Sequence, residues 1–184
     1  MTTVRLVPAA SLGLDVVQQA AGRRSWTLRT AYLADDDYPF AQVWQAPDGT
    51  VVNWIVDDRI GVSYFEARGE DAGVTVDAIR AEFTILDREQ LFARWDGAAD
   101  YSDRANAIRL IGAGAPEAFD RAWYGYFRRA FADEVAIVRF WAVLVTAIPS
   151  WPELRAHVDR LAREDPDETV RQRAALVSRA WRSV

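Results

Sequence analysis

His157 is the only histidine in a chain of 184 residues that has no cysteine and no lysine; all 22 basic residues are arginine. Those counts close most routes to catalysis. No thiol nucleophile, disulfide or thiolate zinc site is possible. No amine is present to form a Schiff base or to hold a P-loop phosphate, and one imidazole cannot build a multi-histidine metal centre. His157 has the chemistry of a general base. It lies beside an apolar helical stripe of Leu154, Val158 and Leu161, with no serine and aspartate in register to complete a relay. It therefore reads as a residue flanking that stripe. These residue types lean away from enzymatic function and nominate no catalytic residue, no metal ligand and no cofactor.

Carboxylates and aromatics remain. Asp35-Asp36-Asp37 and Asp57-Asp58 lack the glycine and terminal glutamate of a calcium loop, so they read as solvated turns or as an acidic surface for a partner. Residues 1–99 hold 15 acids against 9 arginines, and residues 100–184 hold 12 against 13. An acidic chain repels nucleic-acid phosphates and suits a basic protein partner. Trp44 and Trp54 flank a turn; on an open sheet face they would form a binding hot spot, and in a closed one they are core. Arg104 and Arg109 fall on a helix and have the geometry to take a carboxylate or phosphate. The candidate partner-binding residues are thus Asp35, Asp36, Asp37, Trp44, Trp54, Asp57, Asp58, Arg104 and Arg109.

The elements that must position these residues change character along the chain. A helix is predicted over Leu12–Ala20, with Ser11 as its cap and Gly22 as its stop. Strand patterns follow. Trp26, Leu28, Thr30 and Tyr32 alternate with their neighbours. Ala41–Ala46 and Thr50–Val56 flank Pro47-Asp48-Gly49, where proline presets φ and glycine tolerates positive φ, so this is a hairpin. Gly61–Ala67 adds another strand. An antiparallel meander of three or four strands results, which needs a covering element; a short helix over Val74–Phe83 can supply it. Beyond Asp87, apolar residues recur at spacings of three and four over 88–96, 117–131 and 152–163. The middle segment holds Phe119, Trp123, Tyr124, Tyr126, Phe127 and Phe131, more aromatic surface than one stripe requires.

A motif punctuates these helices. Asp100, Asp133 and Asp165 stand 33 and 32 residues apart; an apolar residue follows each at +5, and Arg139 and Arg171 follow the last two at +6. An aspartate before a helix caps free N–H groups and meets the positive end of the dipole. Ala142 and Ala174 at +9 permit close helix approach. In the first copy Asn106 and Arg109 occupy the +6 and +9 positions. The Asp-x-x-x-x-Val-Arg-x-x-Ala register resembles bacterial HEAT-like repeats, most closely from Trp151 through Asp165-Pro-Asp-Glu-Thr-Val-Arg to Leu176. The resemblance covers roughly residues 87–184. It implies stacked helix pairs whose second helices line one side, and it is silent on function, because such arrays serve many roles.

The expectation is an α+β protein: an acidic antiparallel β-meander with one or two short helices over 1–86, then a short α-solenoid of about three HEAT-like helix pairs over 87–184. The expected function is a non-enzymatic protein-binding module for a basic partner, such as a bacterial immunity or accessory protein. The alternative is a small enzyme or ligand-binding protein with a pocket of central aromatics and carboxylates such as Asp120, Asp133 or Glu134. No apolar run reaches the ~20 residues of a membrane span and no leader pattern is visible, so the expected location is cytoplasmic, without membrane or nucleic acid as partner.

Overall fold

The computed structural model describes residues 2–35 and 38–182. The protein is α+β, with an antiparallel sheet first and helices after it. It divides into two compact units, Met1–Asp87 and Arg88–Val184.

The first unit is built on a six-stranded antiparallel sheet in the order β2-β3-β4-β5-β1-β6. Its strands are β1 (Thr2–Pro8), β2 (Thr27–Tyr32), β3 (Phe40–Gln45), β4 (Val51–Asp57), β5 (Val62–Gly69) and β6 (Ile85–Leu86). β2 to β5 are the meander read from the sequence, and β3 and β4 meet through the expected turn. Gly49 takes φ +85° there, its N–H donates to the Ala46 carbonyl (2.9 Å), and Asp48 accepts from the Thr50 N–H (2.9 Å). β1 is a further strand outside the predicted meander. It pairs with β5 from Thr2↔Gly69 to Leu6↔Phe65 and with β6 at its far end. The period-2 signal is present in Val4 and Leu6 alternating with Thr3 and Arg5, but Pro8 cuts it short.

Helices α1 (Leu14–Arg23) and α2 (Gly73–Glu82) share a single core with one sheet face. Trp44, Val52, Trp54, Phe65 and Ala67 meet Val17, Ala20, Val76 and Ile79 in it. The Trp54 and Phe65 rings lie 4.5 Å apart, and Phe83 stacks on Phe65 at 5.2 Å. α1 differs from expectation at both ends. Gly13, not Ser11, is its N-cap and no side chain bonds there; at the other end the helix passes through Gly22 to Arg23. Burial of Val17, Ala20 and Ala21 on one stripe outweighs the lost cap and the glycine penalty, each of about 1 kcal/mol.

The second unit comprises α3 (Arg88–Asp96), α4 (Tyr101–Gly114), α5 (Arg121–Phe131), α6 (Ala136–Val145), a 3-10 turn over Pro152–Leu154, α7 (Arg155–Glu164) and α8 (Glu168–Arg182). α3 packs on α4, α5 on α6 and α7 on α8, while α4, α6 and α8 pack side by side. α5 starts later than its aromatic pattern suggests. Asp120 caps it by accepting from the N–H groups of Ala122 and Trp123 (2.8 and 3.2 Å), which leaves Phe119 outside the helix. No helix among the described residues is long and apolar enough to cross a membrane.

Among the recurring aspartates Asp100 caps its helix as expected, whereas Asp133 and Asp165 bond within the turns leading into α6 and α8; Val135 is the N-cap of α6, and Asp167 accepts from the Val170 N–H (3.1 Å) at the start of α8. Asp100, Asp133 and Asp165 accept from the backbone N–H of Asp103, Val135 and Asp167, each at 2.9 Å. Each +6 arginine bonds the carbonyls of its own loop. Arg139 donates to Asp133 O and Glu134 O (2.8 and 3.0 Å), and Arg171 to Asp165 O and Pro166 O (2.6 and 3.1 Å). Arg139 also forks onto the Asp165 carboxylate of the following copy (2.7 and 2.8 Å). In the first copy Arg104, two residues earlier, reaches Asp133 (2.6 Å) in the same manner. Arg104 and Arg139 stitch consecutive loops together and Arg171 closes its own, so all three are structural before anything else.

Candidate partner-binding site

The residues singled out for partner contact divide sharply. Asp35 is exposed and closes its own loop by accepting from the Tyr38 N–H (2.7 Å); Asp36 and Asp37 lie outside the described residues. Asp58 is exposed. Asp57 is buried and grips Arg59 through both carboxylate oxygens, each at 2.9 Å, so it is neutralised locally. Trp44 and Trp54 do share a sheet face, but it is the covered one: they are 3% and 0% exposed. Trp44 pairs with Val52 and Trp54 with Gln42, which makes the two indoles diagonal neighbours under α1 and α2. They are core, and this removes them from any binding surface. Arg104 is held by Asp133. Of the residues named, Asp35, Asp58 and Arg109 remain at a surface.

Arg109 leads to a site that the sequence reading missed. Its guanidinium lies over the Trp141 ring, 4.9 Å from the centroid. Trp141 meets Phe140 edge to face at 5.3 Å, and Arg173 lies over Phe140 at 5.4 Å. An unbroken line of Arg109, Trp141, Phe140 and Arg173 therefore crosses from α4 over α6 to α8. The centre of that line is unusual. α6 contains one charged residue, Arg139, which is buried at 7% exposure between the two loops it bonds. Its outward stripe is Ile137, Phe140, Trp141 and Leu144: Ile137 is exposed, and the other three are half-buried. Leu176 of α8 is 50% exposed. A helix that buries its charge and shows its hydrophobes inverts the usual amphipathic pattern, and such an exposed apolar surface marks a contact site. Trp141 is half-buried, its other side left open. The signal available in sequence was a ten-residue helix, AIVRFWAVLV, with no polar face at all.

Comparison with protein families, with curated proteins and with solved structures finds no match for this chain. Geometry alone carries the functional reading.

The sheet offers a second concavity. On the face opposite the Trp44–Trp54 core, a groove of about 670 Å³ is lined by Tyr32, Tyr38, Val43, Asn53, Ile55 and Arg68, among others. Tyr32, Leu33 and Tyr38 on its rim are all more than half exposed. Its floor holds Glu66, which is buried and satisfied by Arg5 (3.1 Å), Asn53 (3.3 Å) and Arg68 (2.5 Å). The strand register puts these groups side by side, as Asn53↔Glu66 and Arg5↔Glu66. Glu66 is thus a paired structural charge.

The central aromatics of the helical half pack on one another. Phe92 stacks on Tyr126 at 4.2 Å, and Phe119 and Phe127 lie 5.5 and 5.8 Å from Trp151. Asp120 and Asp133 are occupied as a cap and an ion-pair partner. His157 bonds the Tyr124 hydroxyl through Nε2 (2.9 Å) and stacks on Phe131 at 5.3 Å. Burial, then the charges of Arg160 and Arg128, pushes its pKa below the usual value, so the imidazole is neutral at neutral pH. Among the described residues no group of three His, Asp or Glu is placed to hold a metal ion.

Proposed function

We propose that this chain is a non-catalytic protein-binding module whose helical half is a short HEAT-like array of three helix pairs, with the row α4, α6 and α8 facing the partner. The arginine–aspartate ladder between consecutive loops and the side-by-side packing of the second helices support the array. One observation carries the docking face: α6 buries Arg139 and leaves Ile137, Phe140, Trp141 and Leu144 outward. A role as an immunity or accessory protein belongs to this class. Exposed Asp35 and Asp58 could still steer a basic partner toward the sheet unit, although Asp57 is closed to it by Arg59.

The test is site-specific photo-crosslinking in the cells that make the protein. A photoreactive residue at Ile137 or Leu144 should give one discrete higher-mass adduct, and the same residue at exposed Asp77 of α2 should not. If the α6 positions give no more adduct than Asp77, the docking face is wrong.

The groove on the sheet favours a second reading, a small-molecule-binding protein. Its volume lies within the range of ligand sites, about 300–1,000 Å³. A thermal-shift screen against metabolites would then reveal a ligand whose effect disappears in a groove-filling Val43→Trp variant. A flat response across the library would remove this reading.

A further inference from the structure

The structure also indicates what would occupy the α6 face. We infer that the occupant is an amphipathic helix with carboxylates along the flank of its apolar stripe that meets α8. This inference rests on the docking face proposed above and adds the chemistry of the partner.

Charge comes first. After Asp103 in α4, throughout α6, and after Glu168 in α8, the three helices carry seven arginines and no aspartate or glutamate. The acids of this row are confined to the capping loops and first turns. Arg104, Arg139 and Arg171 are engaged at the loops. Arg109 and Arg173 lie over the aromatic rings, one on each side of the α6 stripe, and Arg109 also donates to Ala105 O (3.3 Å) and to Asn106 Oδ1 (3.1 Å). Among the described residues no carboxylate lies within ion-pair distance of Arg173. A guanidinium stacked on a ring is immobilised while its in-plane N–H groups keep their affinity for carboxylate. The face is therefore apolar along its centre and cationic along its α8 edge.

Backbone chemistry then separates a helix from an extended strand. The α4–α6–α8 row has no open sheet edge, since its amide groups bond within the helices. An extended segment laid on it would bring unpaired N–H and C=O groups against Ile137, Trp141 and Leu144, at a cost in free energy. A helix satisfies its own backbone and offers only side chains. From Ile137 to Leu144 the stripe runs two helical turns, about 10 Å, the reach of apolar anchors at i, i+3, i+4 and i+7. A nucleic acid would answer the arginines but gain nothing from Ile137, Leu144 and Leu176, so the apolar centre favours protein.

Fluorescence anisotropy on the whole chain tests this with three designed 18-residue peptides. The first has a leucine stripe flanked by glutamates, the second the same stripe flanked by lysines, and the third is a scramble of the first. The glutamate peptide should bind about fivefold more tightly than the lysine peptide, the preference that one half-exposed ion pair provides. Ile137→Asp and Leu176→Asp should each abolish binding. Arg173→Glu should weaken the glutamate peptide and strengthen the lysine peptide, a reversal that misfolding cannot produce. Equal affinity for both charged peptides, binding of the scramble, or no binding of the glutamate peptide would overturn the inference. So would binding of a 20-base-pair duplex that survives Ile137→Asp. If the peptides fail while Ile137 still crosslinks in cells, the docking face stands and only its acidic helical occupant falls.

Discussion

Asp165→Ala lowers the stability of the helical unit by about 3–5 kcal/mol, the loss that follows when one partner of a buried ion pair is removed. The Asp165 side chain is 1% exposed and that of Arg139 9%. The carboxylate accepts both Arg139 N–H groups and the backbone N–H of Asp167, so its removal strands a buried guanidinium and loosens the turn before α8 together. Urea unfolding measures the loss, and a change below about 1 kcal/mol would contradict the assignment. The double variant Arg139→Met with Asp165→Ala should recover part of it, because removing both charges leaves none unpaired. The pair also has a pH signature. Burial acts to raise the Asp165 pKa, but the Arg139 and Asp167 hydrogen bonds and the charges of Arg139 and Arg171 outweigh it and hold the group below the usual carboxylate range. A carboxylate depressed by folding contributes stability that is complete above its unfolded pKa of about 3.9 and drains away as pH falls below it. Wild type should therefore lose more stability than the Asp165→Ala variant between about pH 5 and pH 2.

The same substitution at two helical glycines should have opposite effects. Gly112 lies in α4 where α6 crosses it. A Cβ built there would sit 2.4 Å from Val145 Cβ and 2.6 Å from Val145 Cγ2. Val145 is fully buried and its branched side chain has little room to turn, so Gly112→Ala forces the two helices apart. Overpacking of this kind costs about 1–3 kcal/mol, more than the helix-propensity gain of about 1 kcal/mol. Gly125 lies within α5, where an added Cβ meets nothing within 4 Å. Gly125→Ala should stabilise by about 0.5–1 kcal/mol. Thermal or urea unfolding of the pair decides the matter. Equal shifts of one sign would show that α4 and α6 are not in close contact at Gly112. The site tests the repeat as well: Gly112 and Val145 each stand twelve residues after the recurring aspartate of their copy, so equivalent positions of consecutive copies touch.

How far the sequence could be read depends on how far apart the interacting residues are. The Pro47-Asp48-Gly49 hairpin, the Asp100 cap and the aspartate turns at 133 and 165 are made by groups within a few positions of one another, and their chemistry is visible in a short string. β1 escaped because its partners are distant: Arg5 is held by Glu66, sixty-one residues on. The tryptophans make the same point. Trp44, Trp54 and Trp141 are one residue type in similar apolar contexts, yet the first two are sealed under α1 and α2 while the third lies half-open between Arg109 and Phe140.

The sequence by itself determined the α+β order, the meander, the Asp100 cap, the repeat interval and the absence of thiol and amine chemistry. Each follows from local dihedral preference, hydrogen-bonding valence or composition. Only the tertiary structure decided which faces are covered. It turned the charge of α6 inward, because Arg139 is drawn to the loop carbonyls and to Asp165, and so left the apolar stripe outward. It neutralised Asp57 with Arg59 and buried the hairpin tryptophans. Burial and pairing are properties of neighbours brought together by the fold, so the candidate site moved from the acidic turns to the face of α6.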